Sequence, residues 1–145
     1  MKTITFILTL IAIVCTSCSV EPQPINYGVD DCTLCRMKIT EEKFGAEILT
    51  KKGKVLKFDS GECMINYLNQ NSAEEINFES YLVIDYANPS KLIDAKKAFW
   101  LHGENINSPM GGNISAFEKQ ESAEAIKCET GSQLLNWNEV IKLEL

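Results

Sequence analysis

The chain has 145 residues, 14 basic and 20 acidic side chains, and a formal net charge of -6. Nucleic-acid affinity comes mainly from basic side chains that neutralise phosphates, and the sequence has no basic cluster, so we expect no nucleic-acid partner. The sequence also has a single histidine, no suggestion of a Ser/His/Asp arrangement and no glycine loop of the kind that cradles phosphate. These features predict a protein that is not an enzyme.

The N-terminal residues 1–17 have the pattern of a bacterial lipoprotein signal peptide. Lys2 is followed by an uncharged apolar run over residues 3–14, which is too short to cross a bilayer comfortably. Two small residues then precede Cys18, as they do at lipoprotein cleavage sites. We therefore expect Cys18 to become the lipid-bearing N-terminus and residues 18–29, which contain two prolines and no apolar period, to form a lipidated tether.

Residues 30–95 are predicted to form a first unit of a β-hairpin followed by a helix. Two β-prone segments flank a turn-like stretch of lysines and a glycine and predict the hairpin. These segments are Phe44–Thr50 and Val55–Phe58. Asp59 or Ser60 can cap a helix over residues 62–68. Further strands are expected at residues 81–86 and 91–93, and residues 98–101 are expected to continue the same sheet.

Residues 96–145 are predicted to form a second, similar unit. A strand at residues 113–117 precedes a helix at 118–127, which Gly131 ends, and residues 134–137 are expected to form a closing strand. The predicted fold class is therefore α+β. It consists of two small ββα-type units with a mostly antiparallel sheet and helices on one side.

The most informative motif is the C-x-x-C-x-M sequence from Cys32 to Met37. Thiolate and thioether sulfurs are soft donors, and soft donors select Cu(I) over hard cations. Met110 lies in a Pro-Met-Gly-Gly segment with little tendency to form a helix or strand, so its side chain is unlike a core methionine. The predicted Cu(I) ligands are Cys32, Cys35, Met37, Cys63 and Met110, with His102 as a weaker candidate.

Each part of this motif also has a simpler interpretation. A C-x-x-C pair in an exported protein can form a disulfide or the redox centre of a thiol–disulfide oxidoreductase. With Cys63 and Cys128 it can instead form a structural zinc site. Free cysteine is often buried without any function, and Met64 lies on the apolar face of its predicted helix, which favours a place in the core.

The order of these motifs resembles the NosL family along the whole mature chain. After the lipoprotein cysteine come the C-x-x-C-x-M motif, a hairpin ending in Phe58-Asp59-Ser60, and Cys63-Met64. A V-x-D-Y strand at residues 83–86, Ser-Pro-Met-Gly at 108–111 and Ala116-Phe117 complete the pattern. The family usually has glycine where Arg36 stands in this sequence.

The resemblance implies a function and partners. NosL proteins are accessory lipoproteins that bind Cu(I) and help to supply it to nitrous oxide reductase in the periplasm, together with a membrane complex that transports copper. For this chain the resemblance implies a copper chaperone that faces the periplasm from a bacterial membrane and takes part in denitrification. It also implies a fold of two related ββα-type units.

Overall fold

The computed structural model describes residues 21–145, apart from the side chains of residues 74–76. The signal peptide and the lipidation site that we predict at Cys18 lie outside this range. The elements follow in chain order: β1 (Ala46–Thr50), β2 (Val55–Phe58), α1 (Gly61–Gln70), a 3-10 helix (Ser72–Asn77), β3 (Phe78–Ile84), β4 (Leu92–Asp94), β5 (Phe99–His102), β6 (Ile114–Phe117), α2 (Gln120–Thr130), β7 (Gln133–Leu135) and α3 (Trp137–Val140).

The first sheet has four antiparallel strands in the order β2-β1-β3-β4. β1 and β2 form the predicted hairpin, in which Gly53 has a φ of 85° and Thr50 accepts from Gly53 across the turn. A positive φ favours glycine because it has no Cβ to clash with the backbone. β1 lies in the middle of the sheet, which agrees with the burial of four of its five residues.

Helix α1 follows the hairpin directly and packs on the first sheet. Ser60 is its N-cap, and the Ser60 hydroxyl accepts from the backbone N–H of Cys63 at 3.4 Å. The helix buries Met64 and Ile65, so the prediction that Met64 is a core residue is confirmed. The predicted helix is also confirmed, and of the two possible caps the structure has Ser60.

The second sheet has three antiparallel strands in the order β6-β5-β7. The expectation that residues 98–101 continue the first sheet is therefore wrong. A turn closed by the Ala98 N–H and the Asp94 carbonyl redirects the chain after β4. The indole of Trp100, which is fully buried, donates to the Ala95 carbonyl and fixes the start of the new sheet.

Helix α2 packs on the second sheet and ends as predicted at Gly131, which has a φ of 69° and donates to the Lys127 carbonyl. The closing strand is shorter than predicted, because Asn136 begins helix α3. The Asn136 side chain and Glu139 form a reciprocal capping box. Trp137 therefore lies in a helix rather than in the strand.

One hydrophobic core joins the two sheets. Trp100 from β5 packs so closely on α1 that a Cβ added at Gly61 would lie 2.9 Å from the indole ring. The α+β class is confirmed, with two antiparallel sheets and one helix packed on each. The strands of the first sheet come from residues 46–94 and those of the second from 99–135, which supports our proposal of two units divided between residues 95 and 96.

Part of the segment predicted as a tether contacts the first sheet. Ile25 is buried, and its Cδ1 would lie 2.6 Å from a Cβ added at Gly45. The backbone N–H of Gln23 donates to the Glu47 carboxylate at 3.3 Å. The lipidated tether that we propose is therefore shorter than residues 18–29. Within residues 21–145, the structure has no helix with the length and apolar character needed to span a membrane.

Candidate metal centre

The C-x-x-C-x-M motif folds into a tight turn. The Cys32 N–H donates to the Met37 carbonyl at 2.8 Å, and the Arg36 N–H donates to the Cys32 carbonyl at 3.0 Å. The turn is attached to β2 because the Thr33 N–H donates to the Lys57 carbonyl at 2.7 Å. Cys32, Cys35 and Met37 are thus held on one short, hydrogen-bonded loop at the side of the first sheet.

Arg36 occupies a position in this turn that favours glycine. Its φ is 66°, in the left-handed region where a Cβ is unfavourable. This positive φ explains why the family that the sequence resembles usually has glycine at this position. The Arg36 side chain itself is exposed.

A third thiol reaches this turn from helix α1. The Sγ atoms of Cys32, Cys35 and Cys63 all lie within 4.8 Å of one another, and this is the single group of three or more such ligand residues in the described part of the chain. Cys32 and Cys63 are buried, whereas Cys35 is half-buried. Three sulfurs bound to one ion at about 2.3 Å would be about 4 Å apart, so small side-chain adjustments suffice to close them on a metal.

The three thiols form a hydrogen-bonded system. The Cys63 thiol donates to Cys32, and backbone N–H groups of Asp59, Cys35 and Leu34 also point at the Cys32 sulfur. These donors hold the pKa of the Cys32 thiol well below its usual range. Donation to Cys32 and burial raise the pKa of Cys63, and burial raises that of Cys35. One thiolate, flanked by two thiols, is therefore available at neutral pH.

The two predicted thioether ligands are exposed. Met37 is 49% exposed, and its backbone N–H donates to the Cys35 sulfur, so it lies directly beside the thiols. Met110 is 43% exposed and lies in a loop between β5 and β6. The Ser108 hydroxyl of this loop donates to Glu62, the residue before Cys63 in helix α1. The Met110 loop is thus fastened to the helix that carries the third thiol.

The other candidate ligands do not join the thiol cluster. His102 is half-buried at the end of β5, where its backbone pairs with Ile114 and Gln133, and it is outside the group of three thiols. Cys128 is exposed late in helix α2 and is also outside it. The four-cysteine zinc site considered from the sequence is therefore not assembled among the described residues.

Two buried acidic residues near the thiols were not among the site residues predicted from the sequence. Asp59 and Glu62 are 3% and 1% exposed, and each has one oxygen without a hydrogen-bond partner among the described residues. Burial is the main cause, and the negative charge of Cys32 the second, of a rise in the pKa of Asp59 to about 6. In the sequence, Asp59 resembles a helix cap, and Glu62 resembles an ordinary acidic residue of the first helical turn. No local signal shows that both are buried.

The fold and the thiol cluster together define a small α+β protein with a sulfur-rich centre suited to a soft metal ion. Comparison with known proteins identifies its family. The NosL family model matches residues 25–145, and the chain therefore belongs to the NosL family. The resemblance noted in the sequence is thereby confirmed.

Two individual proteins are similar over most of the chain. The copper-binding lipoprotein NosL of Stutzerimonas stutzeri is 25% identical over 128 aligned residues, and the match covers 84% of this chain and 67% of that protein. The crystal structure of the copper chaperone NosL from Shewanella denitrificans is similar with a TM-score of 0.73 and 27% identity. That match covers 83% of this chain and 96% of the other.

Proposed function

We propose that this protein is a lipid-anchored copper chaperone. It binds one Cu(I) ion between Cys32, Cys35 and Cys63, with Met37 and Met110 as additional thioether ligands, and passes the ion to a partner protein. The observation that carries this proposal is the convergence of three sulfur atoms from two separate segments within 4.8 Å. The names of the two similar proteins, a copper-binding lipoprotein and a copper chaperone, support it.

The chemistry of the donors supports Cu(I) rather than a hard cation. Thiolate and thioether sulfurs are soft ligands, whereas Ca²⁺ and Mg²⁺ prefer oxygen. Metal binding requires deprotonated thiols, and the low pKa of Cys32 supplies one thiolate before any metal arrives. The remaining two thiols can release their protons as the cation binds, because its charge lowers their pKa.

The exposure of the methionines supports release to a partner. A thioether carries no proton in the physiological range, so its binding is independent of pH. Met37 and Met110 are about half exposed, in contrast to the buried Met64. Ligands at the surface can be exchanged one at a time for those of a docked partner, which is what transfer without free copper requires.

The experiment that tests this proposal is a Cu(I) competition titration with purified protein lacking residues 1–18. We expect about one Cu(I) per chain and weaker binding in the Met37→Ala and Met110→Ala variants. Cys128→Ser is the matched control, because Cys128 is a free cysteine outside the cluster. Unchanged affinity in both methionine variants would refute the thioether assignment.

Two other outcomes would replace the chaperone with a different function. Reduction of insulin that is lost in Cys35→Ser, in a protein that binds no Cu(I), would indicate a thiol–disulfide oxidoreductase. Tightly retained zinc, whose removal unfolds the chain, would indicate a structural zinc protein.

We further propose that Cys18 carries the lipid, that the folded part faces the periplasm, and that the copper serves nitrous oxide reductase with the help of a copper-transport membrane complex. Membership of the NosL family supports these assignments. In cells, Cys18→Ser should move the protein from the membrane fraction to the soluble fraction. Copper-loaded protein should also restore activity to metal-free nitrous oxide reductase, and a failure to do so would point to another recipient.

A further inference from the structure

One buried side chain, Glu62, contacts both arms of the loop that carries Met110. Before the methionine, the Ser108 hydroxyl donates to Glu62 Oε1. After it, Gly112 packs on the same side chain, so that an added Cβ would lie 2.5 Å from Glu62 Cγ. The Asn113 N–H donates to the Ser108 hydroxyl at 2.8 Å and closes the loop. Met110 is thus the apex of a loop whose two sides rest on one carboxylate side chain.

The same side chain belongs to the helix that supplies a thiol. Glu62 is the second residue of α1, and Cys63 is the third. Because a helix is rigid over this distance, the position of Glu62 relative to Cys63 is fixed. This hydrogen bond and this packing contact therefore help to place the Met110 loop relative to the Cys63 sulfur, together with the packing of β6 on α1.

Stability alone does not account for a carboxylate at this position. Glu62 is 1% exposed, its Oε1 has the Ser108 hydroxyl as partner, and its Oε2 has no hydrogen-bond partner among the described residues. Burial of a carboxyl group with an unpartnered oxygen is unfavourable, and an apolar residue of similar size would avoid that penalty. Glu121 is the second residue of α2, as Glu62 is of α1, and it is exposed. An acidic residue at this position of a helix therefore does not have to be buried.

We propose that Glu62 is a positioning residue that holds the Met110 thioether toward the thiol cluster. This inference rests on the proposed function, in which Met110 is a copper ligand. The inference goes further, because it makes the placement of Met110, which lies in a loop of the second sheet, depend on Glu62 of the first unit. Glu62 acts through Ser108 and Gly112 and does not itself bind the metal.

The first test uses the metal-free protein, so that it does not depend on copper. In Glu62→Ala, the methyl group of Met110 should become more mobile on the picosecond to nanosecond timescale, as measured by NMR relaxation of ¹³C-methyl methionine. The methyl group of Met64, in the core, should not change. Glu121→Ala is the matched control and should leave both methyl groups unchanged. Unchanged mobility of Met110 in Glu62→Ala would overturn the inference, whatever the affinity for copper.

The second test is a double-mutant cycle on Cu(I) affinity. Loss of a residue that orients a metal ligand typically weakens binding about 10–100-fold. Glu62→Ala should weaken Cu(I) binding by up to about tenfold, which is the low end of that range and no more than the loss in Met110→Ala, and the double variant should match Met110→Ala alone. Glu62→Gln, which keeps an acceptor for Ser108, should retain most of the affinity. Additive losses would show that Glu62 acts elsewhere and would overturn the inference.

Ser108→Ala provides an independent variant if Glu62→Ala does not fold. It removes the other half of the same hydrogen bond and should produce the same increase in Met110 mobility on a smaller scale. If Met110→Ala leaves Cu(I) affinity unchanged while Glu62→Ala still frees the loop, then the ligand assignment of the proposed function is wrong and the positioning contact stands. The two failures are therefore distinguishable.

Discussion

The two units each have an antiparallel sheet with a helix packed on it, but they bury very different side chains. In the described part of the chain, every buried acidic residue precedes residue 96, and the three clustered thiols do too. The buried acidic residues are Glu47, Asp59, Glu62 and Asp85. The polar side chains buried in the second unit are serines, and the cysteine of its helix α2 is exposed.

This difference indicates a division of roles. Buried acidic groups destabilise a small fold unless they are paired, and we infer from their concentration beside the three clustered thiols that the first unit is the region adapted for chemistry. The second unit closes the shared core through Trp100, and its exposed loop carries Met110, which we propose as a further ligand. The four predictions that follow test this division, in order of decreasing expected effect.

The largest effect is expected from the buried thiols. Cys32→Ser should weaken Cu(I) binding by more than the roughly 10–100-fold that loss of an outer-shell partner typically produces, because it removes the thiolate itself. A Cu(I) competition titration measures this loss. Cys128→Ser, the same change in the second unit, should leave the affinity unchanged. Equal losses in the two variants would show that the thiols of the first unit are not special.

The second prediction concerns the stability of the first unit. Burial raises the pKa of Glu47 in β1 to about 7, and one of its oxygens has no hydrogen-bond partner among the described residues. In the unfolded chain this carboxyl ionises near pH 4.3. The folded state therefore holds a proton that the unfolded state releases, so the contribution of Glu47 to the free energy of unfolding is greatest below about pH 4 and falls until about pH 7.

Glu47→Gln should remove this fall in the free energy of unfolding at higher pH. At pH 8 we expect the variant to be about 1–3 kcal/mol more stable than the wild type, and at pH 4 the two should be similar. Urea unfolding at both pH values measures the difference. Glu79→Gln, the same change at an exposed position of β3, is the control and should have little effect. A pH-independent difference between Glu47→Gln and the wild type would refute the buried-acid explanation.

The third prediction compares the two methionines. Met37→Ala and Met110→Ala should each weaken Cu(I) binding about tenfold, or about 1.4 kcal/mol, which is less than the loss of Cys32. Release of Cu(I) to a competing chelator should also become faster in both, as measured by stopped-flow absorbance. Met64→Leu, a change confined to the core, should alter neither quantity. A larger effect of Met110 than of Cys32 would reverse the proposed roles of the two units.

The smallest effect is expected at Arg36. Arg36→Gly should relieve the unfavourable left-handed conformation, and the greater freedom of glycine in the unfolded chain offsets part of this gain. We expect a net stabilisation of about 0.5 kcal/mol by urea unfolding. Lys52→Gly, at a turn residue without a positive φ, should instead be destabilising. Destabilisation in both variants would mean that the motif turn does not favour glycine.

The sequence predicted local structure well at most elements that have a local signal. The hairpin, helix α1 and the end of α2 at Gly131 each have a turn, a cap or an apolar period of their own. The change of sheet at β5 has no such signal, because the turn over residues 94–98 contains no glycine or proline and Trp100 is buried against Gly61 of a distant helix. The second half of the predicted closing strand was lost to the capping box of Asn136 and Glu139, a local helix-start signal that the strand prediction overlooked.

The site was predictable in its chemistry and less so in its assembly. The residue types at Cys32, Cys35 and Met37 are sufficient to indicate a soft metal. The convergence of Cys63 on them depends on how α1 crosses the first sheet, which no sequence spacing shows. The burial of Glu62 is hidden for a similar reason, since the Met110 loop that covers it comes from the other unit.

The most direct test of the thiol centre is X-ray absorption spectroscopy of the protein loaded with one Cu(I). We expect a copper environment of sulfur atoms at about 2.3 Å, with the number of sulfurs reduced in Cys63→Ser. We expect no change in Cys128→Ser. A spectrum dominated by nitrogen or oxygen ligands at about 2.0 Å would contradict the thiol centre of the first unit.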